Sequence, residues 1–337
     1  MGGAVLTTKQ QFEDFLRDIE PSATTKARAR AAHTGMRQFL ADHEKFGGVR
    51  IKTLLSGSYP RDTAIRPRVI NGEESRPDVD IIVITNYELT DSPAKVLKFL
   101  YKTIQNGYDE CWQQARSIGV STRTADMDVV PLIQPANTGG LLYIPDRKLK
   151  KWLLTNPPGH SEWTAQINQK AGGRFKPLVK LMKWWRRSNP TISKRPKGFM
   201  IECMTAECTS YDDGTYGDLF VQTLEEVVNR YAFPVALRVV PTVADPAVSG
   251  NNVLASVSFE EFGDFYRQAK EHAELGRDVL GRDDPDKALE GWREIFGERF
   301  PAIKRVPTKG LLRDAAAPAG LLFPDRPIVP RTPGGFA

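Results

Sequence analysis

The chain has 337 residues, enough for one large domain or two fused ones with a substantial apolar core. Lys and Arg number 47 against 41 Asp and Glu, a formal net charge of +6 that suits phosphate-bearing ligands without defining a dedicated nucleic-acid binder. No apolar run approaches membrane-spanning length, no signal-peptide core opens the chain, and the three cysteines and four histidines form neither a disulfide framework nor a zinc spacing. A cytoplasmic protein with no membrane partner is expected.

Thr8 to Ile19 sets Phe12, Phe15, Leu16 and Ile19 at helical spacing and predicts a capped helix. Ser22 to about Glu44 predicts a longer, Ala-rich one. Val49 to Leu55 and Val79 to Thr85 read as strands, separated by a charged loop from Arg66 to Pro77 with the turn pair Asn71-Gly72. Ser92-Pro93 is an N-cap and first-turn proline for a helix through Val96, Leu97, Leu100 and Ile104. Ser121 to Ile133 predicts a third strand, broken by Pro135 to Gly140. Strand and helix mixed in this way indicate an α/β catalytic half ending near residue 170.

From Lys176 the pattern turns helical. Leu178, Leu181, Met182 and Trp185 form one apolar stripe, with Lys180, Lys183 and Arg187 on the opposite face, where a basic stripe is ordinarily solvated. Phe199 to Cys208 and Asp218 to Tyr231 are further helices, and Ser258 with Glu261 makes a capping box for another running towards Leu280. The expected division is residues 1–175 for the catalytic core with its N-terminal helices, 176–303 for a helical lobe, and 304–337 for a Pro-, Gly- and Ala-rich tail without fixed structure.

The chemistry concentrates in Leu54-Leu55-Ser56-Gly57-Ser58-Tyr59-Pro60-Arg61-Asp62-Thr63 and in Asp78-Val79-Asp80. Alternate residues of a strand share a face, so Asp78 and Asp80 point the same way, and two carboxylates held that close invite a divalent metal between them. Gly57 allows backbone to approach a ligand, while Ser58 offers an N–H and a hydroxyl to a phosphate. Asp126 and Asp128 supply a third carboxylate in another strand-like setting, and their spacing leaves either one available.

That combination resembles the DNA polymerase beta-like nucleotidyltransferase superfamily. The longer run Gly57 to Ile65, with Asp245-Pro246 and Asn251-Asn252-Val253, narrows the likeness to the cGAS/DncV-like nucleotidyltransferases, bacterial relatives of cyclic GMP-AMP synthase and oligoadenylate synthetase. Leu181-Met182-Lys183-Trp184-Trp185 resembles the first helix of their C-terminal lobe and Phe199-Met200-Ile201-Glu202 the next. The resemblance implies an α/β (α+β) fold: a polymerase-beta-like core, a C-terminal α-helical lobe, and the active site in the cleft between them.

It also implies catalytic, metal-binding carboxylates at Asp78, Asp80 and Asp128, the last chosen because the superfamily's third acid lies between apolar residues, as in Met127-Asp128-Val129. Gly57, Ser58, Arg61, Thr63, Lys183 and Asn252 are the implied nucleotide-binding residues. Two Mg2+ ions, with Mn2+ as substitute, would stabilise both ends of an in-line displacement. The expected activity joins ATP, GTP or other nucleoside triphosphates into a cyclic di- or trinucleotide for anti-phage signalling through a separate effector. With no zinc-bound insertion, activation by nucleic acid is not expected. The tail, ending Pro333-Gly334-Gly335-Phe336-Ala337, reads either as a frayed terminus with no role or, as the resemblance implies for some relatives, as the end on which a ubiquitin-activation-like partner acts. Competing readings are a transferase acting on RNA, protein or a small molecule, and an inactive nucleotide-binding partner protein.

Overall fold

The apolar and β-branched runs of the first half pair into one sheet, and the amphipathic runs of the second pack into a helical lobe. The structure is a computed structural model that describes residues 8–302 apart from 71, 137, 212 and 213, so the tail and the role expected of it lie outside the described residues. Three helices come first: α1 (Thr8–Ile19), α2 (Ala23–Asp42, capped by Ser22) and the single turn α3 (Glu44–Gly47). Then follow β1 (Arg50–Ser56), a small hairpin of β2 (Val69–Ile70) and β3 (Glu73–Glu74), β4 (Asp78–Thr85) and α4 (Pro93–Ile104). The sheet continues with β5 (Cys111–Gln113), β6 (Ile118–Ser121), β7 (Asp126–Ile133), β8 (Leu142–Asp146) and β9 (Lys151–Thr155). The remaining long helices are α5 (Pro157–Lys170), α6 (Phe175–Ser188), α7 (Gly198–Glu207), α8 (Tyr216–Ala236), α9 (Phe259–Leu280) and α10 (Pro285–Phe296).

The sheet order is β1-β4-β7-β6-β5, with β8 on the far end of β7 and β9 beside β8. β4 and β7 run parallel, joined by a crossover through α4, while β1 pairs antiparallel with β4. Val79, Ile81 and Val83 face α2 and α4 with Met127 and Val129, whereas Ile82, Ile84 and Leu132 belong to the opposite face. Period-two alternation puts Asp78 and Asp80 on that second face, turned to the helical lobe. Among the described residues no helix is long and apolar enough to cross a membrane.

Several expectations are corrected. The predicted strand from Ser121 to Ile133 is two antiparallel strands, β6 and β7. Between them Thr122 donates its hydroxyl and backbone N–H to the Ala125 carbonyl, at 2.8 and 3.0 Å. The loop from Arg66 to Pro77 contains the β2–β3 hairpin. Where no element is predicted the structure has α5: its opening Pro157-Pro158 is tolerated in a first turn, and Asn156 Oδ1 accepts the Gly159 N–H at 3.0 Å. Lys180 and Lys183 do not lie on a solvated face: both are buried, because Glu20, Asp62 and Glu202 stand opposite that side of α6. Trp184 and Trp185 are core residues.

α1 falls within the span assigned to the catalytic core, but its apolar side chains join the helical lobe. Phe12 is fully buried, edge-on to Trp292 at 4.9 Å and to Phe300 at 5.1 Å. The first helix of the chain thus closes the lobe built from the last. Truncating Phe12 to Ala should cost about 3–5 kcal/mol of stability, measured by denaturant unfolding; an unchanged midpoint would show that α1 is not part of this core.

Candidate active site

The site begins at the mouth of β4. The parallel register sets Asp126 beside Asp78 and Asp128 beside Asp80 on β7, and the antiparallel register sets Ser56 beside Asp80 on β1. The turn after Ser56 therefore starts against Asp80. Gly57 has φ +72°, and a Cβ added there would overlap Asp80 Oδ2, so backbone conformation and close approach both demand glycine. Gly57, Ser58, Asp78 and Asp80 line a cavity of about 710 Å³ between the sheet and the helical lobe, together with Lys183 and Lys197.

These carboxylates are poorly compensated. Burial, then Asp80, Asp128 and Asp126, push Asp78 up to about 7, with Lys197 opposing. Burial and Asp128 push Asp80 up to about 6, against Arg61 and Lys183. Asp128 is also raised by burial, while Gln114 Nε2 donates to its Oδ1 at 2.6 Å. Asp128 stands beside Asp80 without lining the cavity, and Asp126 pairs with Arg76 at 3.1 Å. Among the described residues no three carboxylate, imidazole or thiolate groups already form a ligand set. The donor chemistry nonetheless fits magnesium or manganese: hard oxygens whose mutual repulsion a divalent cation relieves, with Asp78 and Asp80 at the wall to receive it.

Arg61, Thr63 and Lys183 line the same cavity, but their polar ends converge on one fully buried carboxylate, Glu202 of α7. Arg61 donates Nε to Oε2 and Nη2 to Oε1, both at 2.9 Å; Thr63 Oγ1 donates to Oε1 at 2.9 Å and Lys183 Nζ at 2.6 Å. Burial alone would raise Glu202, yet Lys183 and Arg61 outweigh it and hold the carboxyl at about 2. Asn252 is likewise occupied: its Oδ1 accepts the backbone N–H of Val243 (3.1 Å) and Leu254 (3.0 Å), bracing a loop on the wall of a neighbouring cavity.

Sequence reasoning did not single out Glu202, Gln114, Lys197 or His160. Glu202 carried one available signal, a charge set among Met200, Ile201, Cys203 and Met204 in a predominantly apolar helix. Gln114 reaches Asp128 through the pairing of β6 with β7, His160 meets Asp245 across 85 residues, and Lys197 lines the cavity just ahead of α7.

A mixed sheet whose paired strands carry clustered carboxylates beside a Gly-Ser turn, roofed by a helical lobe, defines a nucleotidyltransferase. Residues 6–168 match the family described as Second Messenger Oligonucleotide or Dinucleotide Synthetase domain. Over 341 residues the chain is 45% identical to the Cyclic AMP-AMP-AMP synthase of Acinetobacter sp., covering 99% of this chain and 98% of that protein. The fold is similar to the CD-NTase CdnG of Bradyrhizobium diazoefficiens in complex with GTP (TM-score 0.71, 14% identity, 86% of this chain and 94% of that one). It is also similar to E. coli CdnC in its complex with HORMA-deltaN (TM-score 0.66, 19% identity, 87% and 98%). The chain belongs to the second messenger oligonucleotide or dinucleotide synthetase family, and it is a nucleotidyltransferase of the cyclic oligonucleotide synthase class.

The opposed charge states of these acids can be tested separately. Asp78 and Asp80 are raised above their unfolded value of 3.8, so the fold takes up protons and loses stability from this pair as pH rises through about 6 to 7. Replacing both by Asn removes that loss: without divalent cation, the gain in thermal midpoint over wild type should be larger at pH 8 than at pH 5. Equal gains would contradict the assigned repulsion. Glu202→Gln should destabilise by about 3–5 kcal/mol in denaturant unfolding, because Arg61 and Lys183 remain buried without their carboxylate; a near-neutral effect would remove Glu202 from its structural role.

Proposed function

We propose that this chain condenses three molecules of ATP into a cyclic adenosine trinucleotide, releasing a pyrophosphate at each bond. The observation that carries the reading is the Asp78–Asp80 pair at a cavity wall against the Gly57-Ser58 turn, in a chain 45% identical along its length to a cyclic AMP-AMP-AMP synthase. Gly57 brings backbone within reach of the triphosphate, and the Ser58 N–H and hydroxyl donate to its oxygens. Arg61, Thr63 and Lys183 act through Glu202, fixing the loop that carries this turn against α6 and α7. Lys183 and Arg61 also leave net positive charge beside Asp80. Phosphate charge further out meets Lys197, Arg186 and Arg187 on the cavity wall.

Asp78, Asp80 and Asp128 would hold divalent metal, Mg2+ or Mn2+, which when bound supplies charge neutralisation at the α-phosphate and lowers the pKa of the attacking hydroxyl. Gln114 holds Asp128 at Oδ1, which leaves Oδ2 to contribute. Asp126, paired with Arg76, serves at the edge of the site. The product would act as a messenger to a separate effector in anti-phage defence. A HORMA protein of the kind that CdnC binds is the first regulatory partner to test, ahead of a ubiquitin-activation-like enzyme acting on residues 334–337.

The test is direct: incubate the protein with each labelled triphosphate and magnesium, treat with phosphatase, and identify the surviving product by mass. A phosphatase-resistant cyclic triadenylate is expected; an extended RNA would replace this reading by terminal transfer. In the same assay Asp128→Asn should be inactive and Asp126→Asn should retain activity, and the reverse ranking would exchange their roles. Ser58→Ala should weaken triphosphate binding about 10- to 100-fold, as expected for loss of one hydrogen bond to a charged oxygen.

A further inference from the structure

A second cavity of about 620 Å³ adjoins the first, and His160, Lys197 and Phe199 line both. Its walls include the apolar side chains of Leu153, Met200 and Val253, suited to a flat purine, while the shared wall leads back to the carboxylates. His160 Nε2 lies 2.7 Å from Asp245 Oδ1, and both side chains are largely buried. Asp245 also accepts from Ala247 N–H at 3.0 Å and Asn251 Nδ2 at 2.9 Å. Burial works to raise its carboxyl, but the bonds from His160, Ala247 and Asn251 hold it below the usual carboxylate range.

An ionised carboxylate can only accept, so Nε2 must carry the proton. In the neutral ring Nδ1 is then a bare acceptor, and no hydrogen bond to it is present among the described residues. The ring is held in place by Phe199, 4.5 Å away between centroids.

We propose that His160 is a specificity-determining residue whose Nδ1 accepts a hydrogen bond from the 6-amino group of adenine. Adenine presents a donor at that position and guanine a carbonyl acceptor, so a lone acceptor attracts one base and repels the other. Asp245 is the positioning residue that fixes the tautomer. The inference deepens the adenylate reading above and rests on it for the identity of the base.

The experiment measures displacement of a fluorescent ATP analogue from the full chain, under non-turnover conditions, by ATP, GTP and purine riboside triphosphate, which carries hydrogen in place of the 6-amine. Wild type should bind ATP about tenfold more tightly than purine riboside triphosphate, the worth of one hydrogen bond in a partly buried site, with GTP weaker still. His160→Phe, which keeps a ring against Phe199, should bring the ratio of ATP to purine riboside triphosphate affinity near one. Asp245→Asn, whose amide can donate to Nε2 and release the tautomer, should shrink the ratio as well. Equal affinities in wild type, or an undiminished ratio in folded His160→Phe, would overturn the proposal. If His160→Phe does not fold, the Asp245→Asn ratio decides in the same sense. Binding requires no turnover, so the two ideas fail separately: a missing cyclic product counts against the synthase, and an unchanged affinity ratio counts against His160.

Discussion

A carboxylate cannot be buried alone, and the site is built around that constraint. Glu202 sits fully buried in a predominantly apolar helix, where an uncompensated charge would be prohibitive. Its counter-charges come from two other places in the chain, Arg61 beyond the Gly-Ser turn and Lys183 on α6, with Thr63 completing the hydrogen bonds. Both oxygens are engaged, which is the condition under which a buried ion cluster is tolerated. The geometry therefore ties the loop carrying Ser58 to both helices that roof the cavity. A shift of that loop would strand a charge on one side or the other.

The same cavity holds the opposite electrostatic situation on the sheet. At Asp78 and Asp80 negative charge is crowded on paired strands with little to neutralise it, and the carboxyls rise to about 7 and about 6, while Glu202 nearby falls to about 2. Like residue types acquire opposite roles from their surroundings, one as internal glue and the others as an open demand for cations. Arg61 and Lys183 soften that demand at Asp80 without meeting it. Strand register, not side-chain flexibility, enforces the crowding: parallel pairing puts Asp128 level with Asp80 whatever the rotamers do.

The helical lobe contributes rigidity through aromatic packing from both ends of the described chain. Phe12 and Phe15 of α1 meet Trp292, Phe296 and Phe300, so the lobe is closed by its most distant partners in sequence. That closure holds α6 in place, and Lys183 with it. The His160–Asp245 pair likewise joins α5 to the loop after α8, making a shared wall between two cavities from segments 85 residues apart.

Local physics sufficed for much of this protein. The Gly-Ser turn, the Asp-x-Asp pair on an apolar strand, the capping box at Ser258–Glu261 and the periodic stripes of α1, α6 and α9 are all governed by neighbours within a few residues, and such patterns are legible in the chain itself. Elements without a clear local signature were missed: α5 behind its prolines, β8 and β9, mostly apolar but at five residues each too short to declare their period, and the break between β6 and β7. The basic side of α6 shows the limit most clearly. Lys180 and Lys183 have the spacing of a solvated stripe, and only tertiary structure, by bringing Glu20, Asp62 and Glu202 to that side, decides that they are buried. Charge compensation acts through space and is blind to separation along the chain. For that reason the Asp78–Asp80 pair could be named from its spacing, whereas the partners of Glu202, the acid that ties the Gly-Ser loop to α6 and α7, emerge only once the lobes are assembled.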